Sequence, residues 1–293
     1  MYIQLLINGI SLGSLYAIIA VGFALIFSIL KFSNLALGGV IGLTAYVAFF
    51  FQDSIVPRPH IFVTMLVAAV VGMVIMLLVD LIGFRQVRRK DSPRIYYFLM
   101  SITVGIMIES GVTIAFGARN YGFPPIFDVM SFRLGGFVFS TTDMTVMAVS
   151  ILLLVALVLL INKTKLGRAM RAVAIDTNTS KLMGINSGKI IMISFVMAGA
   201  LAGVAAVFLA IRFSVFPELG SRMIIKGLMA SVVGGLGSMP GAIIGAFALG
   251  TLEMFLIFFL GSSIAPVILL AVFLCFLLVR PQGISGKIIQ DKA

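Results

Sequence analysis

The 293-residue chain is 61% hydrophobic and 11% charged, too apolar to clothe the surface of a water-soluble domain of this size. Its net charge of +11 does not point to nucleic acid, because Lys and Arg fall in short segments between apolar runs and build no continuous basic face. The single cysteine, Cys275, excludes an intramolecular disulfide and a cysteine-rich metal site, and within its apolar run it reads as a small core or lipid-facing side chain.

In chain order the apolar runs are Leu5–Ile29, Leu35–Phe51, Ile61–Phe84, Ile95–Phe116, Met144–Ile161, Ile190–Ile211, Ala242–Leu260 and Ile264–Val279. Most approach the ~20 residues a helix needs to cross about 30 Å of hydrocarbon. They predict an all-α integral membrane protein of about eight transmembrane helices plus a short broken helix. The first run follows no basic segment and exceeds the core of a secretory signal, so it is expected to stay as the first span. The broken piece is Met223 to Gly237, which reads as a half-helix, a re-entrant segment or a short crossing. It leads into Gly234-Gly235-Leu236-Gly237-Ser238-Met239-Pro240-Gly241, and a break of that kind at membrane depth is tolerated only where it is buried or lines a cavity. Glycines recur inside the other runs, as expected where helix backbones approach closely in lipid. Gly38-Gly39-Val40-Ile41-Gly42 and Gly241-Ala242-Ile243-Ile244-Gly245 echo one another, either as a repeat or as a chance match of apolar, glycine-rich sequence.

Orientation follows from the basic loops. Arg85, Arg88, Arg89, Lys90 and Arg94 occupy one, and Lys163, Lys165, Arg168, Arg171, Lys181 and Lys189 another; both are expected in the cytoplasm. The segment 117–143 then faces outside, where Asn120-Tyr121-Gly122-Phe123-Pro124-Pro125 suits an ordered turn. The N-terminus is placed outside. Arg280, Lys287 and Lys292 place the C-terminus inside, which requires the Met223 to Gly237 piece to count as a crossing.

No catalytic constellation can be assembled. The one histidine, His60, sits in a short loop, no nucleophile has a nearby base, and no GxxxxGK[ST] loop for ATP occurs. The intramembrane acids are Asp80, Glu109 and Glu253. Asp80 lies near the basic loop, where pairing with Arg85 would account for it, and Glu253 has no partner within its run. Glu109 is the most central, on a helix that also carries Ser101, Thr103 and Ser110; it either is satisfied within the bundle or meets a solute. In the segment between Lys163 and Lys189, a helix-like piece from Gly167 to Asp176 precedes a second one that Thr177 or Asn178 would cap and Gly184 would end. Met170, Val173, Leu182, Met183 and Ile185 interleave there with polar residues, the pattern of an amphipathic helix presented to a groove on a partner.

Several stretches together resemble a known family: Asn8-Gly9, Leu12-Gly13-Ser14-Leu15-Tyr16-Ala17, Asn34 to Gly38, Gly167 to Ala174, Leu182-Met183-Gly184-Ile185-Asn186, Gly199-Ala200-Leu201-Ala202-Gly203, Gly235 to Ala242 and Arg280-Pro281-Gln282-Gly283. In order and spacing they are similar to the shorter permease subunit of bacterial branched-chain amino acid ABC transporters, over nearly the whole chain. The resemblance implies one permease domain over residues 1–293 with the ABC permease fold, in the cytoplasmic (inner) membrane of a prokaryote. It implies no cofactor and no catalysis by this subunit. Its partners would be a second similar permease, two cytoplasmic ATP-binding subunits and an extracytoplasmic solute-binding protein that meets the 117–143 loop. The cytoplasmic loop 162–189 would carry the coupling helix, with Arg168, Arg171, Asp176, Lys181, Gly184 and Asn186 as contacts to the ATPase. Polar residues in otherwise apolar runs, Asn8, Ser11, Ser14, Asn34 and Glu109, are the expected path residues, with interhelical hydrogen bonding as the alternative for all five. The family commonly reads Asn-Phe-Ala-His-Gly where this chain has Asn34-Leu35-Ala36-Leu37-Gly38. Leu37 therefore puts the solute in question, with urea or a short amide as the other ABC cargo and an ion-coupled carrier using Glu109 as the other mode.

Overall fold

The computed structural model describes residues 2–54, 60–90, 92–124, 131–134 and 137–285; Pro125, Lys287 and Lys292, used above, lie outside them. The elements are α1 (Tyr2–Leu30), α2 (Ala36–Ser54), α3 (Ile61–Leu78) with a π-helical continuation (Val79–Phe84), α4 (Arg85–Arg89), α5 (Arg94–Phe116), β1 (Ser131–Leu134), β2 (Phe137–Ser140), α6 (Thr141–Lys163), α7 (Lys165–Ile175), α8 (Thr177–Leu182), α9 (Ser187–Phe213), α10 (Leu219–Gly234), α11 (Met239–Leu260) and α12 (Ala265–Val279). Each apolar run becomes a helix. Among the described residues, seven helices are long and apolar enough to cross a membrane, and α12 is a shorter apolar one.

α1 is the hub of the bundle. Every residue from Ser11 to Ile26 is buried, and it packs against α6, α9, α10 and α11. A helix that is apolar all round and buried all round is what a bundle centre requires, whereas α5, α6 and α12 leave broad apolar faces for lipid. Cys275 is exposed on α12 and is therefore not a core side chain of this bundle. The glycines sit where backbones touch: Gly72 of α3 against Gly199 of α9, Gly38 and Gly42 of α2 against Gly220 of α10, and Gly234 of α10 against Gly241 of α11. At each pair a Cβ would collide with a neighbouring carbonyl, so close packing selects glycine there. The two echoing glycine segments both press on α10, one near each of its ends.

The broken piece is α10, which begins at Leu219, earlier than its expected start. It runs beside α1 in the same sense, with Gly227 against Ile19 and Gly237 against Ser28, and antiparallel to α11. The link from Gly235 to Ser238 thus sits at the end of the bundle where α1 finishes. Because α9 runs to the opposite end, α10 and the residues before it return the chain from that end of the bundle to this one, the course that the charge parity calls for. Ser238 restarts the chain as a helix, its Oγ accepting from the Gly241 N–H at 3.2 Å.

In the 117–143 loop the chain makes an antiparallel hairpin, β1 to β2, which the sequence reading did not anticipate. Before it, Tyr121 forms a two-way backbone bridge with Val215, both bonds 2.8 Å. Its ring packs against Tyr46, Phe49 and Phe50, so backbone pairing and aromatic packing both hold Tyr121 within the segment read as a turn.

Candidate functional site

At the end of the bundle carrying the basic loops, α7 and α8 lie across the mouths of α1, α6 and α9. Thr164 caps α7 by accepting from the Gly167 N–H at 3.1 Å. Gly167 lies against the Ile161 carbonyl with no room for a Cβ, which makes the α6–α7 corner tight. The second cap corrects the sequence reading: neither Thr177 nor Asn178 but Asp176 caps α8, accepting from the N–H groups of Asn178 at 2.8 Å and Thr179 at 3.2 Å. The Thr179 hydroxyl also donates to Asp176, and with those N–H groups it holds the carboxyl below its ordinary pKa. α8 ends as expected at Gly184, whose φ of 81° is the left-handed conformation glycine adopts without strain. The Asn186 side chain then caps α9 through the Lys189 N–H at 3.1 Å.

The apolar residues of this segment divide. Met170 and Val173 are buried against the bundle, while Ile175 and Leu182 are each 87% exposed and Met183 79%. Arg168 and Lys181 are exposed. Arg171 is also exposed but donates to the Ile161 carbonyl and, at 3.4 Å, to Asn162, so its guanidinium tethers α7 to the end of α6. Clefts of about 980 Å³ and 460 Å³ flank α7. The larger is strongly basic, with Lys31, Arg85, Arg94, Lys181 and Lys189 on its walls. Burial, and then the nearby Arg94, push the pKa of Lys31 below its ordinary value.

The intramembrane acids are all engaged. Asp80 lies in the π-helical stretch and takes a bidentate pair from Arg88 at 2.6 and 3.1 Å, rather than from Arg85 as expected. Glu253 is buried and has a partner on another helix: Lys226 of α10 donates to it at 2.5 Å, and Tyr16 of α1 donates to it at 2.9 Å. Lys226 also donates to the Tyr16 hydroxyl at 2.8 Å. Glu109 accepts from the Ser221 hydroxyl of α10.

The other expected path residues do not converge on one cavity. Asn8 accepts from Gln4 at 3.1 Å. Ser11 donates to Asp143 at 2.7 Å, and Arg212 binds both of them. Ser14 donates to the Ser11 carbonyl at 2.7 Å. Asn34 accepts from the Ala36 N–H at 3.1 Å at the start of α2, with its Nδ2 buried and unpartnered among the described residues. Sequence reasoning missed Tyr16, Lys226, Asp143 and Arg212. The signal for Lys226 was present, because a lysine inside an apolar run requires a partner.

Helices that alternate end to end on glycine contacts, with an amphipathic helix pair standing across one mouth, have the architecture of a membrane permease. A solved structure agrees: that of PsaBC from Streptococcus pneumoniae in complex with Fab matches with a TM-score of 0.51 over 94% of this chain and 91% of that one, at 16% identity, a likeness of fold alone. A family model described as branched-chain amino acid transport system / permease component matches residues 5–277. Similar proteins include the high-affinity branched-chain amino acid transport system permease BraD of Pseudomonas aeruginosa, 31% identical over 98% of this chain and 96% of that one. They also include LivH of Escherichia coli K12, 32% identical with the same coverage, and a probable LivH of Methanocaldococcus jannaschii, 31% identical over 97% and 92%. The chain belongs to the branched-chain amino acid transport permease family.

Proposed function

We propose that this chain is one of two permease subunits of an ABC importer for branched-chain amino acids, driven by ATP hydrolysed on two cytoplasmic partner subunits and supplied by an extracytoplasmic binding protein. The names of its relatives support the substrate. The observation that carries the mode of action is the α7–α8 unit, capped at Thr164, Asp176 and Asn186 so that it is stiff, yet presenting bare Ile175, Leu182 and Met183 away from the bundle. A stiff amphipathic unit with uncovered apolar tips suits a groove on an ATPase. The clefts on either side of α7 leave it room to tilt, and the Gly167 corner and the Arg171 tether would pass that tilt to α6. Arg168, Asp176, Lys181, Gly184 and Asn186 would be the contacts, with Arg171 acting from behind.

The basic loops argue for this end being cytoplasmic, which sets the N-terminus and the 117–143 loop outside, facing the binding protein. Asn8, Ser11, Ser14, Asn34 and Glu109 remain the proposed polar points of the path, with the second permease supplying its other wall. Co-purification on a tag placed on this chain tests the reading. A second permease and two ATPases should accompany it, and binding protein loaded with leucine should stimulate ATP turnover. The chain purifying alone and transporting on an ion gradient would overturn it.

A further inference from the structure

α10 carries charges where a membrane helix rarely does. Glu218 is 58% exposed and Arg222 65%, and the guanidinium donates to Glu218 through Nη2 at 2.7 Å and Nε at 3.1 Å. Their depth follows from the packing of α10. Gly220, between them, lies against Gly38 and Gly42, and Gly42 is more than three turns, about 18 Å by the helical rise, short of the end of α2 at Ser54. One turn beyond Arg222, Lys226 reaches Tyr16 at the midpoint of α1. Beside the pair, Ser221 holds Glu109. Phe216 lies under the guanidinium, 5.3 Å from its carbon to the ring centroid, and Ile225 is exposed next to it.

Ionised side chains at this depth face a bundle interior or water, not lipid. Among the described residues nothing covers Glu218 or Arg222, so the face they share is open to the solute path. We propose that Glu218 and Arg222 form a transient station for an amino-acid zwitterion on the wall of that path. The inference rests on the permease reading above and names the residues through which it acts. The guanidinium fork matches a carboxylate with two parallel bonds, and Glu218 accepts the ammonium. Each solute charge replaces a contact the pair already makes with itself, so the exchange is nearly balanced and the solute leaves as readily as it enters. Phe216 and Ile225 give the branched alkyl group an apolar edge. Lys226 with Glu253, one turn further along the same helix, repeats the chemistry more deeply buried.

The test uses the whole transporter in its membrane, with Cys275→Ser as background. Arg222→Cys is expected to react with a membrane-impermeant, water-soluble thiol reagent and to lose leucine uptake, whereas Ile114→Cys, on a lipid-facing part of α5, stays unmodified. Ser221→Cys serves as a second position on the same face if R222C does not accumulate. The double variant E218Q/R222Q separates a station from a structural ion pair: a station leaves leucine uptake as impaired as in R222Q alone, while an ion pair that only holds α10 regains uptake once both charges are gone. Recovery in the double variant, or thiols on this face inert to the aqueous reagent while the parent complex takes up leucine, overturns the proposal. A parent complex that takes up no leucine overturns instead the substrate reading, and the zwitterion assignment with it.

Discussion

Tyr16, Lys226 and Glu253 illustrate what a charge needs inside a bilayer. Three helices each contribute one group, and each group is hydrogen-bonded to the other two. Removing one partner leaves the other as an uncompensated buried charge, whereas removing both and filling the space with apolar atoms relieves the problem. Glu253→Gln and Lys226→Met are each expected to destabilise the solubilised protein by about 3–5 kcal/mol, with the double variant K226M/E253L far closer to the parent. Thermal unfolding in detergent measures this, and single variants no less stable than the double would refute it. Asp80 shows a different residue-scale effect. The π-helical stretch has more residues per turn than an α-helix, which shifts the register of the turn that follows and brings Arg88, two turns on, to the Asp80 carboxylate.

Among the elements, α7 and α8 are held by caps rather than by depth of burial. Asp176 ends one helix and starts the next, so Asp176→Ala is expected to loosen the joint and lower coupled transport, with Asp176→Asn retaining more of it, as read from leucine uptake per ATP hydrolysed. Equal uptake ratios in both variants would show that the cap is dispensable. Because Thr179 and the α8 N–H groups lower the folded-state pKa of Asp176, its contribution is fully present above the ordinary carboxylate pKa of about 3.9. That contribution is lost only as pH falls through a still lower value, so the joint is insensitive to pH across the neutral range. Leu182→Glu together with Ile175→Glu should cost ATPase co-purification while leaving the chain in the membrane; an unchanged yield of ATPase would remove these side chains from the docking surface. On α10, Gly220→Val should abolish accumulation of the folded chain, since backbone atoms of Gly38 and Gly42 occupy the space and a strained contact there has nowhere to relax. Immunodetection in membranes checks it, and normal accumulation would contradict the tight α2–α10 contact.

For the whole molecule, α10 decides the topology. With it as a crossing, the start of α1 and the segment around Gly283, which packs against Gly235, lie at opposite ends of the bundle. In the Cys275→Ser background, Gly122→Cys should be modified from outside intact cells and Arg89→Cys only after the membrane is permeabilised. The reverse pattern would invert the proposed orientation, and modification of both from one side would mean that the helices between them do not alternate as described. The glycine contacts also explain how one chain brings Glu109 of α5 to Ser221 of α10: α2 lies between them, and its small residues let both neighbours approach over it.

Apolar length and local composition alone were enough to read the membrane class, the eight apolar helices and the amphipathic character of 163–189, because each depends on local composition meeting a solvent of fixed thickness. Glycine at Gly184 marked the end of α8 for the same local reason. The partners of charged groups were another matter. Lys226 meets Glu253, Arg212 meets Asp143 and Ser221 meets Glu109 across separations of 27, 69 and 112 residues, and no periodicity encodes such pairings. The crossing by α10 was also left open, since a short, charged, glycine-rich helix falls below the apolar length a bilayer ordinarily demands. Only the tertiary structure settled these points, by packing α10 between α1, α2 and α11, where neighbouring helices rather than lipid satisfy it along most of its surface.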